Sequence, residues 1–292
     1  MVSVLRPVEP TSNRMIVFLN GRFIPEAQAV VPISDRGFLY GDGLFETIRV
    51  RVGRPLWWTR HMDRFERGAS FLKLRPPWAS DQIREFAGEL IRRNGLPDSI
   101  LRVTLSRGSG ERGYSPRDAN APTFAVTLHP APVPPSARRL VTVSVRIPAN
   151  ESLANFKTAN KLVQVLARAE AEQRGADDAL LLNTDGNVAE ASASNIFWLE
   201  NGALYTPPLA DGALDGVTRS VVLELARLRN VRTLETRVRP EGLMAADGVF
   251  LTNSTSGIVS VAALDGRELK QSPFVAELQQ WLEEAAVADA GS

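Results

Sequence analysis

Apolar positions alternate on both sides of Asn20-Gly21 in residues 15–25 (MIVFLNGRFIP). That predicts a β-hairpin, because an Asn-Gly pair accepts the positive φ angles of a two-residue turn. Residues 35–52 (DRGFLYGDGLFETIRVRV) read as a glycine-rich turn followed by an alternating strand. Helical spacing predicts a helix over 59–74 and another over 80–94, the second stopped by Asn94-Gly95. Two β-type runs, 100–107 and 123–128, flank a loop at 108–122. Residues 129–136 (HPAPVPPS) hold four prolines and mark a linker. Beyond it the pattern predicts a strand at 140–147 and an alanine-rich helix at 161–174 ending at Gly175. Short strands at 179–182, 188–191, 196–199 and 203–205 read as a meander with turns at Asp185-Gly186 and Asn201-Gly202. A helix at 217–228, strands at 235–238, 249–252 and 258–264, a helix at 273–286 and a fraying end complete the chain. The expected organisation is an α+β protein of four parts. Residues 1–13 form a flexible extension, 14–130 a small N-terminal α+β domain, 131–137 a proline-rich linker and 138–292 a larger C-terminal domain.

Composition narrows the chemistry. With 292 residues, 44% of them apolar and 23% charged, the chain can build a core without metal or disulfide staples. There is no cysteine, and the only histidines are His61 and His129, which argues against thiol catalysis, zinc–cysteine sites and a Ser-His-Asp triad. The formal charge of +1 carries no nucleic-acid or membrane footprint. No apolar run approaches a membrane span and the N-terminal stretch lacks a signal-peptide core, so a cytoplasmic location is expected. Among 34 basic residues only Lys73, Lys157, Lys161 and Lys270 are lysines, so amine chemistry has four candidates.

Lys157 stands in ANFKTANKL, between a strand and a helix, where a partly desolvated amine can form an imine with a carbonyl cofactor. Glu190, in NVAEASASNIFW, has small neighbours that let a planar ligand come close. Leu214 to Arg219 (LDGVTR) opens a helix whose free N–H groups make an anion site, and TNSTSG at 252–257 is a second hydroxyl-rich turn. Arg64, one turn after Arg60, offers a cation for the same anion, and the loop RGSGERGYS carries arginine forks suited to carboxylates. Taken one at a time, each of these also fits a surface lysine, an outward-facing strand glutamate, an ordinary helix start or a solvated loop.

Their order is what distinguishes them. DRGFLYGDGLFETIRV, HMDRF, SRGSGERGYS, FKTANKL, DGNVAEASASNIFW, LYTPPL, DGVTR and VFLTNS resemble, in sequence, the motifs of fold-type IV pyridoxal-phosphate enzymes over roughly residues 15–270. That family holds branched-chain aminotransferases, D-amino-acid aminotransferases and 4-amino-4-deoxychorismate lyases. The resemblance implies that Lys157 forms the imine with pyridoxal 5'-phosphate and shuttles the proton, and that Glu190 pairs with the pyridinium nitrogen. It implies that Arg64, Val217, Thr218, Ser254 and Thr255 hold the phosphate. Phe45, Arg49, Arg102, Arg112 and Tyr114 become candidate contacts for a small amino substrate bearing a carboxylate. It also implies a C-terminal domain with a β-barrel-like sheet, and a homodimer whose partner's loops close over each site.

The R-G-Y run ends on Tyr114, two residues after Arg112, where the D-amino-acid enzymes have histidine, and asparagine follows Lys157 at +3. The tyrosine resembles the lyases, and the asparagine resembles the lyases and the D-amino-acid enzymes rather than the branched-chain ones. The expectation is therefore a lyase turning 4-amino-4-deoxychorismate into 4-aminobenzoate and pyruvate. A transaminase of D- or branched-chain amino acids is the alternative, and a non-catalytic cofactor-binding protein the rival from another class.

Overall fold

Asn20 and Gly21, both at positive φ, reverse the chain between β1 (Ile16–Leu19) and β2 (Arg22–Pro25), as the alternation predicts. The computed structural model describes residues 15–291, so the extension expected at 1–13 lies outside the described residues. The glycine-rich turn holds a short helix that the sequence reading lacks, α1 (Arg36–Tyr40), capped by the Asp35 carboxylate and closed by Gly41 at φ +67°. There follow β3 (Gly43–Arg51), β4 (Arg54–Pro55), α2 (Trp58–Phe71), α3 (Ser80–Asn94), β5 (Ser99–Ser106) and β6 (Thr123–Pro130). The six strands form one antiparallel sheet in the order β2-β1-β6-β5-β3-β4. Helices α2 and α3 cover one face, burying Phe18, Ile48, Phe65, Leu90, Leu101 and Phe124. Strand alternation then sends Phe45, Thr47 and Arg102 to the opposite face.

Residues 131–136 carry no regular structure. The second sheet is built from β7 (Ala137–Ile147), β8 (Asp178–Asn183), β9 (Val188–Ala191), β10 (Asn195–Glu200), β11 (Ala203–Thr206), β12 (Thr233–Glu235), β13 (Gly248–Asn253), β14 (Gly257–Leu264) and β15 (Arg267–Glu268). Between them lie α4 (Leu162–Gln173), α5 (Val217–Leu228), α6 (Pro240–Ala245) and, last, α7 (Pro273–Gly291).

The order β12-β11-β10-β13-β14-β7-β8-β9 replaces the expected meander, because four strands separate β10 from β9 although they are consecutive in the chain. In a flat sheet that gap would be about 24 Å, five spacings of about 4.8 Å. The link from Ala191 to Asn195 reaches at most about 15 Å. The sheet must therefore curl into a half-barrel that brings β9 back to β10, where Ala191 N donates to Ser194 O at 2.8 Å. Leu180, Leu182, Val188, Ile196, Trp198, Leu251 and Val261 share the resulting core. The fold is α+β, an antiparallel N-terminal sheet joined to a curled C-terminal sheet with flanking helices.

Further differences from expectation lie in the C-terminal half. The strand expected at 235–238 lies earlier, at β12, while Val238 O accepts from Val188 N at 2.8 Å outside any strand. Helix α6 starts on Pro240 and went unread. The C-terminal stretch does not fray at 286 but stays helical to Gly291, and Asp289 Oδ2 accepts from Trp57 N at 2.7 Å, at the start of α2. Among the described residues no helix is long and apolar enough to cross a membrane.

Candidate active site

The exposed-side face of the first sheet, the segment around Lys157 and the open end of the curled sheet enclose a cavity of about 580 Å³. Its floor is an anion cradle. Helix α5 begins at Gly216, and its first N–H groups have no acceptor within the helix. Val217 and Thr218 are buried there, and the Thr218 hydroxyl has no hydrogen-bond partner among the described residues. The Thr252 hydroxyl, near the end of β13 just before the turn that carries Ser254 and Thr255, is likewise buried and unpartnered. That turn is shaped by Asn253, whose Oδ1 accepts from Thr255 N at 3.0 Å and Ser256 N at 2.7 Å. Orphaned hydroxyls beside a helix start fit a phosphate, which would accept from both and from the helix amides.

Close packing holds the cradle. A Cβ on Gly216 would lie 2.0 Å from Asn195 Oδ1, and Asn195 Nδ2 donates to Leu214 O at 2.8 Å. Gly216→Ala should force Asn195 off Leu214 and cost roughly 1–2 kcal/mol. Denaturant unfolding measures it, and an unchanged midpoint would contradict the packing described.

Arg64 reaches the cradle from α2. Its Nε donates to Glu46 Oε1 at 2.8 Å, one terminal nitrogen to Glu46 Oε2 at 2.6 Å and the other to Asp215 O at 2.7 Å. Glu46 also meets His61 Nδ1 at 2.7 Å, and His61 Nε2 lies 3.5 Å from Ser254 Oγ. Burial acts to raise the Glu46 pKa, but the charge of Arg64 and the hydrogen bonds of His61 and Arg64 prevail and hold it at about 2. His61 is pushed below its ordinary value by burial, so it stays neutral. Neither Glu46 nor His61 was singled out from the sequence. The signal was present: Glu46 shares its strand face with Leu44, Ile48 and Val50, and His61 and Arg64 stand one helical turn apart.

Lys157 precedes α4. Its carbonyl accepts from Phe45 N at 2.9 Å and Ala159 N donates to Gly43 O at 2.8 Å, so the segment is laced to β3. Its ammonium lies 4.7 Å from the Phe45 ring centre. Burial chiefly, helped by the charges of Arg64 and Lys161 and opposed by Glu46 and Glu190, lowers the Lys157 pKa to about 8. Glu190 is buried on β9, where its Oε2 accepts from Leu214 N at 3.0 Å. Burial raises its pKa despite that bond and the attraction of Lys161 and Lys157. A carboxylate so placed gains from a cationic partner, and a protonated ring nitrogen would supply one.

The substrate candidates divide. Phe45 and Arg102 line the cavity, with the Arg102 guanidinium 3.7 Å from the Phe45 ring centre. The Arg102 guanidinium makes no hydrogen bond or ion pair among the described residues, and burial holds it below the ordinary arginine pKa. Arg49 shares the Phe45 strand face but does not line the cavity. Arg112 and Tyr114 do not line it either, and Tyr114 is 87% exposed. The loop that carries them is pinned outward by Arg36, which donates to the carbonyls of Gly113, Tyr114 and Ser115. The expected Arg112–Tyr114 carboxylate fork is therefore absent from this chain's own cavity.

Residues 43–264 match the model of the family described as amino-transferase class IV. The chain is 36% identical, over 92% of its length and 94% of the relative's, to a putative branched-chain-amino-acid aminotransferase of Methanocaldococcus jannaschii. It is 32% identical, over 86% of its length and 87% of the relative's, to the aminodeoxychorismate lyase of Bacillus subtilis. The fold superimposes with a TM-score of 0.88, at 29% identity, on a branched-chain aminotransferase of Thermoproteus uzoniensis solved with norvaline, covering 94% of this chain and 95% of that one.

Proposed function

The chain belongs to the class IV aminotransferases, and from that premise we propose that it is a pyridoxal-phosphate-dependent transaminase of amino acids with apolar, branched side chains. The observation that carries this reading is the unpaired Arg102 guanidinium set beside an apolar wall. Arg102 would take the substrate carboxylate, while Phe45, Ile147, Leu153 and Val163 give the side chain a surface free of charge.

When bound, the cofactor supplies an electron sink for the charge left at the substrate α-carbon. Arg64, Val217, Thr218, Ser254 and Thr255 would hold its phosphate, and Glu190 would keep its ring nitrogen protonated. Lys157 Nζ holds and returns the α-proton. At a pKa of about 8, roughly a tenth of it is neutral at pH 7, against well under a thousandth at the ordinary lysine value.

Purified protein loaded with pyridoxal phosphate should be converted to its amine form by leucine, isoleucine or valine, read as loss of the aldehyde-form absorbance. Arg102→Met should lower kcat/KM for those substrates about 10- to 100-fold, the worth of a charge-assisted contact. Wild-type rates in that variant would remove Arg102 from the substrate site.

A second reading rests on the RGSGERGYS loop and the B. subtilis relative: a lyase releasing pyruvate and 4-aminobenzoate from 4-amino-4-deoxychorismate. It ranks below the transaminase because the putative branched-chain-amino-acid aminotransferase of M. jannaschii is the more similar relative, at 36% identity against 32%. Pyruvate release from that substrate, with no branched-chain amino acid reacting, would reverse the order. Either reading extends to a homodimer in which the loop of one chain reaches the other's cavity. The exposed Phe38, Leu39, Leu162, Val165 and Leu166 support this.

A further inference from the structure

Four cations line the cavity, Arg64, Arg102, Lys157 and Lys161, against two carboxylates, Glu151 and Glu190. The functions proposed above account for three of the four. Arg64 is neutralised through both oxygens of Glu46, Arg102 faces the substrate carboxylate and Lys157 works as a neutral amine. Glu190 is reserved for the ring nitrogen, and Glu151 accepts from Ser152 Oγ and Leu153 N. Lys161 is left over.

Its placement is unusual for a lysine. The adjacent Leu162 and the nearby Val165 are 64% and 60% exposed, yet Lys161 lines the cavity together with Val163 and Gln164. A lysine at such a position ordinarily keeps its ammonium in water and leaves the interior to its apolar neighbours. Among the described residues the Lys161 ammonium makes no hydrogen bond or ion pair, and it does not cap α4. An ammonium drawn out of water without a partner is costly unless a bound molecule supplies the anion.

We propose that Lys161 is a further ligand-holding residue of this cavity, taking an anionic oxygen that neither Arg64 nor Arg102 receives. The inference rests on the proposed function. Two bound molecules can supply that oxygen: a substrate with a second carboxylate, or the cofactor through its ring hydroxyl. Lys161 is placed for either, since it lines the same cavity as Lys157 and Glu190 and its charge is felt by both.

Lys161→Met and Lys161→Arg separate these sources in the full chain. Equilibrium dialysis with pyridoxal phosphate and a pH titration of the bound cofactor's visible absorbance form one arm. The ratio of kcat/KM for glutamate to that for leucine forms the other. If the substrate is the source, Met should lower that ratio about ten-fold and Arg should restore it. If the cofactor is the source, Met should weaken retention about ten-fold or move the titration midpoint by about one pH unit, and Arg should restore it. Wild-type behaviour of the Met variant in both arms overturns the assignment of Lys161 alone. Failure of the wild-type chain to bind pyridoxal phosphate would overturn the proposed function, and this inference with it.

Discussion

Lys157→Ala is expected to lower turnover by roughly 10⁴-fold or more while leaving the fold intact. Two contributions are lost together: the covalent hold on the cofactor aldehyde and the base at the α-carbon, the second alone worth about 10²–10⁴. The main chain at this position should survive, because the bonds that lace it to β3 are made by the Lys157 carbonyl and the Ala159 amide rather than by the side chain. The Lys157 side chain has the Phe45 ring as its contact, and the ring remains. Circular dichroism should therefore match the wild type while the half-reaction with leucine stops. A variant retaining a tenth of the wild-type rate would show that another group removes the proton.

Glu46→Ala should give the largest loss of stability, about 3–5 kcal/mol at pH 7, because it leaves the buried Arg64 charge and His61 without their shared carboxylate. The pH dependence follows from the folded-state pKa of about 2 against the ordinary 4.5. A carboxylate held that low contributes stability that is fully present above about pH 5 and lost as pH falls through 4.5 towards 2. His61, held neutral by burial, acts with the same sign, since the unfolded chain takes up its proton first on acidification. Wild-type protein should thus lose more stability than Glu46→Ala between pH 5 and pH 3, measured by denaturant midpoints. Parallel loss in both would mean that the Glu46 network is not what acid breaks.

Local signals in the sequence were reliable where one short-range rule decides the structure. The hairpin at Asn20-Gly21, α3 from Ser80 to Asn94 and α5 from Val217 to Leu228 follow from turn residues, a C-terminal glycine and helical spacing. The curl of the second sheet could not be read that way. Strands β9 and β10 look like neighbours in sequence, and only the insertion of β13 and β14 beside β10 shows that they close a half-barrel.

The site divides along the same line. Lys157, Glu190, Arg64, Thr218 and Ser254 sit in motifs whose order resembles a known family, and all five line one cavity. Glu46 belongs to such a motif too, but its role appears only when α2 lays His61 and Arg64 against it. Arg112 and Tyr114 were read by motif as substrate contacts. What keeps them out of their own chain's cavity is Arg36, about 77 residues away in sequence, a contact that no local pattern announces.

Reductive trapping tests the account most directly. The full chain is incubated with pyridoxal phosphate, reduced with borohydride, digested and mapped by mass spectrometry. One phosphopyridoxyl group on the peptide containing Lys157 is the predicted result. A label on Lys73, Lys161 or Lys270 instead, or no label at all, would contradict it.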